Sequence, residues 1–140
     1  MKVVPDTMIW VSYCTCRDGF RHRLIERACR HGVRLFVSSY ILEELRLVLM
    51  EDLQRSRRFS LLSRRAILRA AALVTIPPNV RPWVPRDPND DPIVQTAISA
   101  GADYLVTADT ELIKLEKVES VSIITASQFE QRLASDVPGG

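Results

Sequence analysis

The sequence has no stretch of eighteen or more consecutive apolar residues, the length that a membrane-spanning helix needs. Its first ten residues, MKVVPDTMIW, carry one lysine and then an acid, which is not the pattern of a signal peptide. These two absences predict a protein that does not span a membrane and that stays in the cytoplasm.

Cysteine is scarce, and the three that occur, Cys14, Cys16 and Cys29, have no CxxC spacing. The two histidines, His22 and His31, lie in an arginine-rich segment and complete no metal-ligand motif. A thiolate metal site is therefore disfavoured, and reduced, partly buried thiols are expected.

Lysine is also rare, with three residues against sixteen arginines, and the arginines are unevenly placed. Thirteen arginines and six acids lie between Arg17 and Arg69, whereas four basic residues and ten acids follow from Arg86 onward. This division predicts a surface that attracts polyanions beside a site that holds cations, although the net charge is only +2. For any single arginine, ordinary solvation of a helix is the competing interpretation.

The length of 140 residues and a hydrophobic fraction of 46% are typical of one globular domain. We expect that domain over residues 1–134 and a short flexible tail over residues 135–140.

Strands and helices alternate along the chain. Short runs rich in β-branched residues predict strands at 2–5, 33–38, 74–77, 103–109 and from 121 onward. Helical spacing of apolar residues predicts helices at 20–32, 39–53, 61–74, 92–101, 111–117 and at the C-terminal end, where Ser127 and Glu130 have capping-box spacing. This alternation predicts an α/β three-layer sandwich with a mostly parallel central sheet flanked by helices.

Two features of the middle of the chain are less regular. Residues 77–90 hold five prolines, which predicts a loop that crosses the surface. Leu61, Leu62 and Leu68 are assigned to the core by default, with a homodimer face as the alternative.

Carboxylates stand where parallel sheets bind ligands, at the carboxyl ends of strands. Asp6 and Asp109 end predicted strands, Asp90 begins a helix, and either Glu43 or Glu44 faces the same edge. Taken singly, Asp6 or Asp109 could be a helix N-cap, and the helical phase does not decide between the two glutamates.

Several carboxylates in one cleft repel one another unless cations neutralise them. Hard cations such as Mg²⁺ and Mn²⁺ are held by carboxylates and can activate a water for phosphodiester cleavage. Together with a surface that attracts polyanions, this predicts a metal-dependent nuclease, with the number of ions left open.

The order of these motifs resembles the PIN-domain ribonucleases, in particular the bacterial branch that forms the toxins of toxin–antitoxin modules. The resemblance runs from about Val3 to Phe129. It is carried by the segments VVPDTMIWVS, VSSYILEEL, RDPNDDPIVQTAISAGADYLVTAD and TASQF.

The resemblance assigns roles to individual positions. It implies four catalytic carboxylates that hold the metal, at Asp6, Glu44, Asp90 and Asp109. It leaves Asp91 as a neighbouring support or an alternative ligand, and Asp87 as a turn residue. Supporting roles fall on Thr7, Ser12 and Thr107, and a weaker expectation places RNA contacts at Arg55, Arg57, Arg58, Arg64 and Arg65.

The family's activity is hydrolysis of single-stranded RNA with Mg²⁺ or Mn²⁺, and the resemblance also implies a small antitoxin partner. One departure stands out, because the family has Asn where this chain has Met8. That Asn normally supports the first aspartate, so Ser12 is a candidate to compensate. The alternative function is therefore a catalytically weakened PIN-like domain that binds RNA or a protein.

Two other classes fit less well. A haloacid-dehalogenase-type phosphatase needs a second aspartate where Met8 stands. A phospho-receiver domain needs a phosphoacceptor aspartate after a central strand at mid-chain, which the sequence does not offer.

Overall fold

A six-stranded sheet forms the centre of the protein in the computed structural model, which describes residues 1–136. The strand order is β3-β2-β1-β4-β6-β5, and every neighbouring pair is parallel except β5 and β6. The strands are β1 (Lys2–Pro5), β2 (Arg34–Val37), β3 (Ala71–Leu73), β4 (Tyr104–Val106), β5 (Lys117–Val118) and β6 (Val121–Ile124). The predicted α/β architecture with a mostly parallel sheet is confirmed.

Helices flank this sheet and connect its parallel strands. They are α1 (Thr7–Thr15), α2 (Phe20–Arg30), α3 (Ser39–Leu47), α4 (Arg57–Ala70), α5 (Asp91–Ser99), α6 (Thr110–Ile113) and α7 (Ala126–Asp136). A π-helical turn, Val48–Asp52, continues α3, and a 3₁₀ turn, Pro88–Asp90, leads into α5. In the part of the chain that the structure describes, no helix has the length and apolarity needed to cross a membrane.

The core lies on both faces of β1, whose Val3 and Val4 are fully buried. Trp10 from α1 and Phe129 from α7 are the largest side chains that are fully buried. Burial on both faces is what a central strand of a parallel sheet requires, and it fixes the position of the residue that follows β1.

The order in which successive strands are added to the sheet reverses at β1. The strands β2 and β3 extend the sheet on one side of β1, and β4 and β6 extend it on the other. The Asp6 amide donates to the Val106 carbonyl at 2.9 Å, so the ends of β1 and β4 are joined at the switch point. Ligands of open α/β sheets bind in the crevice at such a point.

Two predicted elements were wrong in the middle of the chain. The helix predicted over 61–74 begins at Arg57 and ends at Ala70, and the strand predicted over 74–77 lies instead at Ala71–Leu73. The sequence AAL favours a helix locally, but Ala71 is extended because β3 pairs with β2 over Leu35 to Val37.

Three leucines assigned to the core are in fact on the surface. Leu61, Leu62 and Leu68 are exposed to 53%, 50% and 38%, because α4 turns its Ser60, Ser63 and Ile67 face inward. The default core assignment for these leucines was therefore wrong.

The capping box of the last helix lies two residues earlier in the chain than predicted. The Thr125 amide donates to Gln128 Oε1 at 2.9 Å, and the Gln128 amide donates to Thr125 Oγ1 at 3.1 Å. This reciprocal pair, not Ser127 with Glu130, caps α7. Of the tail predicted over 135–140, Ser135 and Asp136 continue α7, and residues 137–140 lie outside the described residues.

Candidate metal centre

Asp6 lies at the end of β1 and caps α1. Its Oδ1 accepts a hydrogen bond from the Ile9 amide at 3.2 Å, and its Oδ2 accepts one from the Thr107 hydroxyl. Burial raises the pKa of Asp6, and the hydrogen bonds from Thr107 and Ile9 and the charge of Arg21 partly offset that rise. The capping role and the site role considered for Asp6 are therefore compatible, and Thr107 is one of its two hydrogen-bond donors.

Glu44 faces the same cleft from α3. The Ser38 hydroxyl caps this helix by accepting from the Ile41 amide at 3.4 Å, and the Thr7 hydroxyl donates to Glu44 Oε1 at 2.5 Å. Burial raises the pKa of Glu44, while the Thr7 hydrogen bond lowers it. Glu43, in contrast, is exposed and pairs with Arg46 on its own helix, so Glu44 is the glutamate of this pair that faces the cleft.

A cluster of three carboxylates faces Asp6 and Glu44. Oxygen atoms of Asp87, Asp90 and Asp109 lie within 4.8 Å of one another. Two of these side chains are held by local amides, because Asp87 Oδ1 accepts from Asn89 at 3.1 Å and Asp109 Oδ1 accepts from Glu111 at 2.9 Å. The cluster therefore combines the end of the proline-rich loop with the end of β4.

Asp90 is the most constrained member of this cluster. It is 9% exposed, and its Oδ2 is buried with no hydrogen-bond partner among residues 1–136. Burial, and then the charges of Asp109 and Asp87, raise the pKa of Asp90 to about 7. A buried carboxylate oxygen without a donor, beside two further carboxylates, is the oxygen-rich environment that Mg²⁺ or Mn²⁺ prefers.

Asp91 holds the proline-rich loop in place and does not belong to the carboxylate cluster. Its Oδ1 accepts from the Val84 amide at 2.7 Å, and the nearby Trp83 indole donates to Gln95 Oε1 at 3.0 Å. Both contacts fasten the proline-rich loop to α5. This geometry agrees with the interpretation of Asp91 as a neighbouring support. It does not favour the interpretation of Asp91 as an alternative ligand.

Asp87, which the sequence predicted only as a turn residue, also lies in the carboxylate cluster. It does stiffen the turn, since the Asp90 amide donates to its carbonyl at 3.0 Å, but its carboxylate also joins the cluster. The available signal was the spacing in DPND, because a tight turn brings its first and fourth residues together.

Met8 and Ser12 lie on one face of α1, beside Asp6. Met8 is 48% exposed, and the Ser12 hydroxyl accepts from Arg21 Nη1 at 3.0 Å. Ser12 was expected to compensate for the missing Asn. The structure connects it to the site through Arg21, whose charge favours the ionised form of Asp6.

The five arginines considered for RNA contacts lie on and just before α4, outside the carboxylate cluster. The Arg55 guanidinium packs over the Phe59 ring at 4.7 Å. The others share the solvent-facing side of α4 with the exposed leucines, and a shallow groove there is lined by Arg58, Leu61, Leu62, Arg64, Arg65 and Leu68.

Comparison with known proteins identifies the family. The sequence matches the family model of the PIN domain over residues 2–111, from β1 to the start of α6. No curated protein matches the sequence. The fold is similar to a chain in the crystal structure of VapBC2 from Rickettsia felis bound to a DNA fragment from its promoter, with a TM-score of 0.67, 15% identity, and coverage of 89% of this chain and 98% of that chain.

The matched region contains every carboxylate of the cleft: Asp6, Glu44, Asp87, Asp90 and Asp109. The resemblance found in the sequence is thus confirmed by the family model and, for the fold, by the solved structure. The chain belongs to the PIN-domain family.

Proposed function

We propose that this chain is a Mg²⁺- or Mn²⁺-dependent endoribonuclease that hydrolyses single-stranded RNA, and that it is the toxin of a toxin–antitoxin pair. The observation that carries the proposal is the buried, partnerless Oδ2 of Asp90 beside Asp87 and Asp109. Mutual repulsion among carboxylates gathered in this way raises the free energy of the metal-free site, and a bound cation would relieve this repulsion.

Asp87, Asp90 and Asp109, whose oxygen atoms lie within 4.8 Å of one another, would hold the cation, with Asp6 and Glu44 as further ligands from the opposite side of the cleft. When bound, Mg²⁺ or Mn²⁺ would supply an activated water as the nucleophile and would offset the charge that develops on the leaving oxygen. All these ligands are hard oxygen donors, which fits either ion.

The rest of the site holds these carboxylates in place before substrate arrives. Thr107 and the Ile9 amide orient Asp6, and Thr7 orients Glu44. Preorganised charges of this kind need no rearrangement during the reaction. Because burial and the charges of Asp109 and Asp87 raise the pKa of Asp90 to about 7, this carboxyl of the metal-free site is only about half ionised at pH 7, and cation binding displaces the proton where it is present.

RNA is proposed as the substrate because a polyanion suits the arginine-rich part of the chain. The α4 region holds Arg55, Arg57, Arg58, Arg64 and Arg65, and its first helical turn contains no acid. Attraction to phosphates by such a surface is independent of sequence and falls steeply with salt.

The proposed antitoxin partner and cytoplasmic location are supported by the family assignment and by the fold shared with VapBC2. The alternative, a weakened PIN-like domain, drew its support from Met8. The intact set of carboxylates favours the enzyme over that alternative.

The test is cleavage of total cellular RNA by the purified chain with Mn²⁺ or Mg²⁺, and then with a chelator. Asp90→Asn is the inactivating variant, and Asp18→Asn, which removes an exposed carboxylate on the α1–α2 connection, is the matched control. We expect cleavage that requires metal, disappears in Asp90→Asn and persists in Asp18→Asn. Cleavage by Asp90→Asn at the wild-type rate would overturn the proposed site.

A further inference from the structure

Arg21 joins α2 to the side of the metal centre. It is the second residue of α2, and its Nη1 donates to Ser12 Oγ at 3.0 Å. Ser12 lies on α1, the helix that Asp6 caps. The contact is partly buried, so the guanidinium is held at a defined position and is not free in solvent.

The charge of Arg21 acts on the site without being neutralised by a carboxylate. It favours the ionised form of Asp6, yet no carboxylate oxygen of residues 1–136 lies within the 4 Å of an ion pair with it. Arg46 and Lys114, in contrast, each pair with the acid three residues earlier in the chain, at 2.6 and 3.2 Å. An arginine near Asp6 that bonds to a neutral hydroxyl has its remaining donors available to another anion.

We propose that Arg21 binds a phosphate of the RNA next to the metal centre and that Ser12 is its positioning residue. The inference rests on the proposed function. A guanidinium has five N–H donors, of which Ser12 engages one, so a two-pronged contact with phosphate oxygens is available. The α1 segment TMIWVSYCT contains no charged residue that would compete with the phosphate.

The Met8 side chain indicates on which side of Arg21 a bound nucleotide would lie. Met8 is half exposed and precedes Ser12 by one helical turn on the same face. A nucleotide whose phosphate contacts Arg21 therefore meets an apolar side chain nearby. The chain thus has an exposed apolar side chain on this face of α1, at the position where the family has Asn.

The experiment compares Arg21→Ala, Arg21→Lys and Ser12→Ala with the wild-type protein. Arg30→Ala, an exposed arginine at the other end of α2, is the matched control. Binding of a fluorescent single-stranded RNA is measured by anisotropy in chelator over a salt series, so that cleavage plays no part. KM and kcat are then measured with metal, and Mn²⁺ affinity is measured without RNA.

We expect Arg21→Ala to raise KM by about tenfold, the effect of losing one charge-assisted contact. The slope of log affinity against log salt should become shallower by about 0.7, the value for one phosphate of a single strand. Arg21→Lys should retain most of the slope, Ser12→Ala should raise KM less than Arg21→Ala, and Arg30→Ala should match wild type. Mn²⁺ affinity of Arg21→Ala should be equal or tighter, because a positive charge beside Asp6 is removed.

An unchanged salt slope and KM in Arg21→Ala, in a protein that cuts RNA, would overturn this inference and leave the proposed function intact. Weaker Mn²⁺ binding in Arg21→Ala would also overturn it, since Arg21 would then act through Asp6. Binding without cleavage, with the slope reduced in Arg21→Ala, would support the subsite and overturn the nuclease. No RNA binding by the wild-type protein would overturn both.

Discussion

The Thr7 hydroxyl donates a 2.5 Å hydrogen bond to Glu44 Oε1, and the two residues are 37 positions apart in the chain. The contact joins the start of α1 to the middle of α3. Because Thr7 follows Asp6 directly, one short segment positions two carboxylates, Asp6 by its own capping and Glu44 by the hydroxyl of its neighbour.

Thr7→Val should raise the pKa of Glu44, since it removes a donor that favours the charged form. We expect kcat/KM to fall by about tenfold, in line with the loss of a hydrogen bond to a charged group. A pH–rate profile would show the acid limb moved to higher pH. Thr110→Val, an exposed threonine on α6, serves as the control.

The same substitution made in a Glu44→Gln background should have little further effect on the rate, because the two side chains act as one unit. Additive losses in the double variant would contradict the assigned contact.

Asp90→Asn should stabilise the metal-free protein above neutral pH. The folded pKa of about 7 lies above the value near 4 of an unfolded chain, so between these values the unfolded state binds fewer protons. The free energy of unfolding contributed by this group therefore falls as pH rises from about 4 to 7 and is constant above. Removing the charge should add about 1 kcal/mol or more at pH 8.

Urea unfolding of the chelated protein at pH 5 and pH 8 measures this directly. Asp90→Asn should flatten the difference between the two pH values, whereas Asp18→Asn should not. A pH dependence identical to wild type in Asp90→Asn would show that Asp90 does not titrate in this range.

Metal affinity should rise with pH through the neutral range. A proton on Asp90 competes with the cation, so the apparent affinity for Mn²⁺ should increase up to about tenfold per pH unit below the pKa of about 7 and level off above it. Calorimetry in buffers of different ionisation enthalpy would count the released proton. No proton release at pH 6 would contradict the raised pKa.

Asp91→Ala should destabilise the protein, because Val84 is buried and its amide would lose its acceptor. The cost of such an unsatisfied donor is about 1–3 kcal/mol. Asp91→Asn keeps an oxygen acceptor and should retain both stability and Mn²⁺ binding. Loss of Mn²⁺ binding in a stably folded Asp91→Asn would instead make Asp91 a ligand.

Strand ends and helix starts are local features, so the sequence could place Asp6, Asp90 and Asp109, whereas the choice of Glu44 over Glu43 came from the family resemblance. The sequence could not separate Asp87 from Asp91, since their roles depend on how the loop folds back onto α5. The Val84 amide, which decides the role of Asp91, is given by tertiary structure alone.

Helix α1 was not predicted, and the reason is its burial. Thr7, Ile9, Trp10, Val11 and Tyr13 are all buried, so the helix lacks the polar face that produces a recognisable periodicity. Strand β3 was placed wrongly for a different reason, because its pairing with β2 overrides the helical preference of its alanines.

The position of β4 at the switch point has a consequence for synthesis of the protein. Asp6 is made first, but its Thr107 partner and Asp109 belong to the segment that follows β4. A nascent chain still attached to the ribosome therefore carries an incomplete carboxylate cluster until that segment has emerged and β4 has docked beside β1. The proposed nuclease activity therefore requires that the chain through Asp109 has already left the ribosome.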